Sequence, residues 1–124
     1  MTIPTDLVIS LNKLSLICHD ANLGCWRDPA TGKPIQRNKG ELLMLIVSEV
    51  AEAMEGARKG LADDKLPARS MEEVELADVL IRVFDYAGGF GLDLGGALAE
   101  KMQYNAQRAD HKAAARLAEG GKKW

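Results

Sequence analysis

Apolar residues recur along this chain at helical intervals. Leu7, Leu11, Leu14 and Cys18 keep that spacing and predict a first helix over roughly 5 to 21. The segment that follows, GCWRDPATGKPIQRNKG, is rich in Gly, Pro and polar residues and reads as a loop. Asn38 with Glu41 three residues on has the form of an N-cap with a reciprocal acidic partner, and it opens a second helix that runs to about Lys59 before Gly60. After the loop LADDKLPAR, Ser70 and Glu73 form an S-x-x-E capping box, and Glu72 adds favourable negative charge in the first turn. The third helix is predicted to run to Ala87, with Gly88-Gly89 as its stop. Asp93 caps a fourth helix over roughly 94 to 118, and the tail GGKKW is expected to be flexible unless a ligand or a neighbouring subunit orders it. Sustained period-2 alternation is absent and aromatics make up only 5% of the chain, so the prediction is all-α with four helices.

Two helices interrupt their own apolar stripe with carboxylates. In the second, Leu42, Leu45, Ile46, Glu49 and Ala53 follow one face, which puts Glu49 where the core should be and Glu52 one turn on. In the third, Val74, Ala77, Ile81 and Phe84 describe an apolar face, with Glu75 and Asp78 at its edge and Asp85 two turns beyond Asp78. Residues three apart on a helix are neighbours, so each pair is a like-charge contact that destabilises its own helix. No cation stands three or four residues from Glu49 or Glu52. Ionised carboxylates near a core therefore require protonation, a distant cation or a metal. If the two helices pack antiparallel, Glu49, Glu52, Glu75 and Asp78 converge as an all-oxygen cluster suited to Mg²⁺ or Mn²⁺. The competing reading is a pair of solvated helix faces. A di-iron bundle site is disfavoured, because it needs Glu-x-x-His pairs that His19 and His111 are not placed to supply.

Lys101, Tyr104, Asn105 and Arg108 follow i, i+3, i+4, i+7 on the fourth helix, an arrangement that can hold phosphate oxygens or simply face solvent. A length of 124 residues points to one domain spanning 1 to 124, and 47% apolar with 27% charged residues is ordinary for a globular chain. The formal net charge of -2 gives no electrostatic footprint for nucleic acid or a membrane surface. Cys18 and Cys25 have no second pair and no His spacing that would complete a zinc site, and they read as reduced thiols. With no signal segment and no long apolar run, a cytoplasmic location is expected. No G-x-S-x-G elbow and no G-x-x-x-x-G-K-[ST] phosphate loop is present.

The segments LMLIVSEVAEAMEGARKG, EEVELADVLIRVFDYAG and EKMQYNAQRADHK, with GCWRD upstream, together resemble the MazG-like, all-α nucleoside triphosphate pyrophosphohydrolases over about residues 20 to 123. The resemblance implies a bundle-type fold completed by oligomerisation, as a homodimer or homotetramer. It also implies hydrolysis of a nucleoside triphosphate to the monophosphate and pyrophosphate with Mg²⁺, Mn²⁺ being possible, in nucleotide-pool housecleaning. Glu49, Glu52, Glu75 and Asp78 would be the metal ligands, and Lys101, Asn105 and Arg108, with Tyr104 alongside, would contact phosphates. Water would attack the α-phosphorus, its pKa lowered by the metal, while Lys101 and Arg108 stabilise the leaving pyrophosphate. Ser48 stands where the family often has a further Glu, which leaves the number of metal ions and any separate general base open. For the base, Trp26 is the candidate stacking surface, with His19 and Asn22 beside it; a structural anchor is the alternative for Trp26. The small residues Ala51, Ala53, Gly56 and Ala57 are expected to pack closely against a second copy. Two further readings stay open: a dUTPase-like or phosphoribosyl-ATP pyrophosphatase-like specificity, and a non-catalytic helical module that binds nucleotides or a protein.

Overall fold

The computed structural model describes residues 2–108 and 112–123. The described residues are all-helical, with five α-helices, no strand, and only isolated bridges at Arg27–Pro34 and Ala62–Ser70. The helices are α1 (Thr5–Ala21), α2 (Lys39–Lys59), α3 (Met71–Gly89), α4 (Leu94–Gln107) and α5 (Ala113–Leu117). None is long and apolar enough to cross a membrane. The chain divides into two compact units, Leu14–Leu92 and Met1–Lys13 with Asp93–Trp124.

In the first unit α2 packs on α3. Their ends are set by local chemistry. Asn38 accepts the Glu41 N–H at 2.9 Å, while the Glu41 carboxylate turns to Arg37 at 3.6 Å, and Gly60 closes α2 in the left-handed conformation at φ 61°. Ser70 and Glu73 complete both halves of the capping box. Between them Asp63 is buried and its Oδ2 accepts the Lys65 and Leu66 N–H groups at 3.0 and 2.8 Å, so the loop is held from inside. Gly56 lets the helices touch: a Cβ there would lie 2.8 Å from Met71 Cβ. Gly56 meeting Met71 and Glu49 meeting Arg82 fix the pair as antiparallel.

Two boundaries differ from the sequence expectation. α3 continues through Gly88 and Gly89, because these glycines are packing contacts rather than a stop: a Cβ on Gly88 would collide with the Ser15 carbonyl, and one on Gly89 with the Trp26 ring. The chain turns at Gly91, at φ 66°. The fourth helix ends at Gln107 instead of reaching 118, since Arg108 is extended at ψ 129°. The predicted helix at 109–111, and Trp124 of the tail, lie outside the described residues. Ala53 and Gly56, expected against a second copy, are buried inside the chain. A different stripe on α2 faces outward: Leu43, Val47, Val50 and Met54 are about half exposed, at 48%, 54%, 48% and 58%.

In the second unit the N-terminus of α4 is clamped by Asn12. Its Oδ1 accepts the Gly95 N–H at 2.8 Å and its Nδ2 donates to Asp93 Oδ1 at 2.7 Å, while Asp93 caps Gly96. The Asn12 amide and then the Gly96 N–H hold the Asp93 carboxyl below the usual carboxylate range.

Candidate metal centre and adjoining cavity

Antiparallel packing brings the broken stripes of α2 and α3 together. Glu49, Glu75 and Asp78 each place a carboxylate oxygen within 4.8 Å of the other two, a group able to hold a metal ion. Glu52 is exposed and outside this group, yet its charge is near enough to raise the pKa of Glu75. The distant cation required by Glu49 is Arg82, whose Nε donates to Glu49 Oε1 at 3.0 Å. Arg82 lies one turn beyond Asp78 on α3, so the i, i+4 spacing back to the acidic pair was the available signal for it.

One guanidinium does not balance three carboxylates, and the cluster responds by holding a proton. Glu75 is pushed up to about 7, chiefly by its hydrogen bond to Glu49, then by desolvation and by the charges of Glu49, Asp78 and Glu52. Asp78 is also raised, first by desolvation and then by Glu49, against the lowering effect of Arg82. Oxygen donors that keep a proton near neutral pH for want of positive charge are suited to a hard divalent cation.

A cavity of about 340 Å³ adjoins the cluster. Glu49 and Asp78 border it, and along the two helices it continues past Leu45 and Ile81 to Leu42 and Asp85. Arg37, Arg82, Asn22 and Cys25 complete its polar lining. A second cavity of about 380 Å³ is bordered by His19, Trp26, Arg37 and Phe90. The base-binding candidates are thus divided: Asn22 lines the first cavity, His19 and Trp26 the second.

Asp85 explains that division. Its Oδ1 accepts both His19 Nδ1 and Trp26 Nε1, each at 3.0 Å. A carboxylate acceptor requires the hydrogen of His19 on Nδ1. The Trp26 ring then meets His19 and Phe90 edge to face, with centroids 4.9 and 5.2 Å away, and Arg37 stands 6.0 Å above it. The loop after Trp26 folds back through bonds from Ile35 N to Trp26 O and from Asp28 N to Lys33 O, which fixes the indole. Below it Cys18 is buried, its thiol raised by burial and by the Asp85 charge.

Lys101, Tyr104, Asn105 and Arg108 belong to the other unit. Lys101 and Arg108 stand 4.9 and 5.9 Å from the Tyr104 ring, although Arg108 is the C-cap of α4 rather than a further residue of its face. Asn105 Oδ1 is buried with no hydrogen-bond partner among the described residues. Comparison of the chain with protein-family models, with curated proteins and with solved structures gave no match.

Proposed function

We propose that the chain is a divalent-metal-dependent nucleoside triphosphate pyrophosphohydrolase of the MazG-like kind, cleaving between the α- and β-phosphates. The observation that carries this reading is the convergence of Glu49, Glu75 and Asp78 within 4.8 Å, with Glu49 and Asp78 also bordering a cavity of about 340 Å³. The resemblance of the segments around these residues to that family supports it. Glu49, Glu75 and Asp78 would hold Mg²⁺ or Mn²⁺, with Glu52 adding negative charge from outside the group. A divalent ion there would lower the pKa of a water and offset charge on phosphate oxygens.

The chain's own residues have complementary work. Arg82 holds Glu49 through Nε and lines the cavity, and Arg37 borders the same space. Arg82 is placed to bind phosphate oxygens, whereas the Arg37 guanidinium is held by the Cys25 carbonyl at 2.7 Å and by Glu41 at 3.6 Å. Lys101, Asn105 and Arg108 remain candidates for further phosphate contacts, tested by substituting each singly. The apolar lining at Leu42, Leu45 and Ile81 would exclude water beside the α-phosphate. The exposed stripe Leu43, Val47, Val50 and Met54, in coiled-coil-like 4-3-4 spacing, supports association with a second copy.

Incubation with the eight common (d)NTPs and Mg²⁺ is expected to release pyrophosphate, and Glu49→Gln and Asp78→Asn to abolish it. Orthophosphate as the only product, or unchanged activity in both variants, would refute the reading. A metal-free alternative is favoured by the Arg82–Glu49 ion pair, which with a shared proton offsets much of the cluster's charge. Calorimetric titration separates the two: no binding of Mg²⁺ or Mn²⁺ leaves a helical binding module.

A further inference from the structure

The cavity beside the carboxylate cluster has a second polar end, which phosphate chemistry does not use. Glu49, Leu45 and Leu42 step away from the cluster along α2, and Asp78, Ile81 and Asp85 do so along α3. Asp85 lies seven residues beyond Asp78, about 10 Å along the helix axis. That is comparable to the reach from the α-phosphate of a nucleotide to the edge of its base.

Two hydrogen-bond acceptors are fixed at this far end. Asp85 gives Oδ1 to His19 and Trp26, and among the described residues no hydrogen bond uses Oδ2. Asn22 donates its Nδ2 to the Cys18 carbonyl at 2.9 Å, which orients the amide and keeps Oδ1 as the atom for a ligand. His19 and Trp26 are positioning residues in this arrangement: they act through Asp85 by deciding which of its oxygens is spent. The apolar side chains of Leu42, Leu45 and Ile81 line the stretch in the middle, which suits a flat heterocycle.

We propose that Asp85 and Asn22 select the base of the nucleoside triphosphate, admitting cytosine, adenine or guanine through an exocyclic amino group and rejecting uracil and thymine. The inference rests on the pyrophosphohydrolase reading for the phosphate end of the substrate. An amino group offers two N–H donors, one for Asp85 Oδ2 and one for Asn22 Oδ1. Uracil and thymine offer one N3–H donor flanked by two carbonyl oxygens, so one of the two acceptors is left facing a carbonyl oxygen without a donor.

The test measures pyrophosphate release from dCTP, dATP, dGTP, dTTP and dUTP with Mg²⁺, together with equilibrium binding of their α,β-methylene analogues. At least one amino-bearing base is expected to exceed dTTP and dUTP by about 100-fold or more in kcat/KM and in binding. In Asp85→Asn, Oδ1 can still accept from His19 and Trp26 while Nδ2 presents a donor to the cavity. The preference for amino-bearing bases is then expected to shift at least tenfold toward uracil and thymine, whereas a structural role alone would lower all five substrates together. Asn22→Ala is expected to narrow the wild-type ratio about tenfold, and it serves if Asp85→Asn does not fold. Equal kcat/KM and equal binding across the five overturn the selection and leave the hydrolase standing. Preferential binding without any hydrolysis overturns the hydrolase and supports the selection, and no binding of any analogue overturns the selection.

Discussion

Replacing Glu75 with Gln is expected to stabilise the metal-free protein at pH 8 while removing most of its response to Mg²⁺. Gln keeps the shape of Glu and can still donate a hydrogen bond to Glu49, but it carries no charge. Raising a carboxyl from its ordinary 4.5 to about 7 corresponds to about 3 kcal/mol in full. These carboxylates are partly solvated, and screening reduces the figure to about 1–2 kcal/mol. The sign follows from proton binding. Below pH 4.5 both states hold the proton and the contribution is fully present. Between 4.5 and about 7 the unfolded chain releases it while the native pair retains it, so stability falls as pH rises through that window. Glu75→Gln removes this loss and should therefore exceed the wild type at pH 8 by about 1–2 kcal/mol. Asp78 is raised as well, so the variant keeps a shallower slope rather than none. Urea unfolding followed by circular dichroism at pH 5, 6.5 and 8, with EDTA and then with Mg²⁺, reads every part of this. The wild type should gain more from Mg²⁺ at pH 8 than at pH 5, since ion and proton compete for the same oxygens. A variant no more stable than the wild type in EDTA at pH 8, with an unchanged slope, would refute the reasoning.

Arg82→Met should destabilise the protein in EDTA by about 1 kcal/mol, because Glu49 loses its partner at a side chain that is itself 38% exposed. With saturating Mg²⁺ that cost should shrink, as the ion replaces the guanidinium; a cost equal in both buffers, measured by thermal unfolding, would count against the metal centre. Gly88→Ala should cost about 1–3 kcal/mol by urea unfolding, because its Cβ would press on the Ser15 backbone carbonyl. A neutral result there would mean that α1 is free to move off α3.

Much of the first unit was legible because its signals are local. Asn38, Gly60, Ser70 and Glu73 set helix ends through bonds spanning three or four residues, and the structure reproduces them. The acidic faces were legible for the same reason, since Glu49 breaks an apolar period and Glu75 and Asp78 sit at the edge of one. Helical spacing ties Arg82 to Asp78 four residues before it, but its bond to Glu49 spans 33 residues and only the packing of α2 on α3 reveals it. Gly88 and Gly89 are ambiguous in sequence because a glycine pair marks either a helix end or a close approach, and only the position of Ser15 and Trp26 decides between them. The end of α4 carries no local mark at all: from Ala106 to Ala118 there is neither Gly nor Pro, and propensity alone continues the helix. Asp85 was visible as a residue, but its shared bond to His19 and Trp26 joins segments 59 and 66 residues apart.

The acidic cluster also bears on how the chain reaches its native state. Glu49, Glu75 and Asp78 are carried by one helical hairpin whose loop is held from inside by Asp63, so they meet as soon as α2 and α3 pair, without any other element. Loops of that size close quickly, which places like charges together early in folding, before much of the surrounding structure has formed. Repulsion among them then acts on the barrier itself. Screening salt or a divalent ion would be felt as faster folding more than as slower unfolding, and the hairpin would be a nucleus whose speed is set by the ions around it.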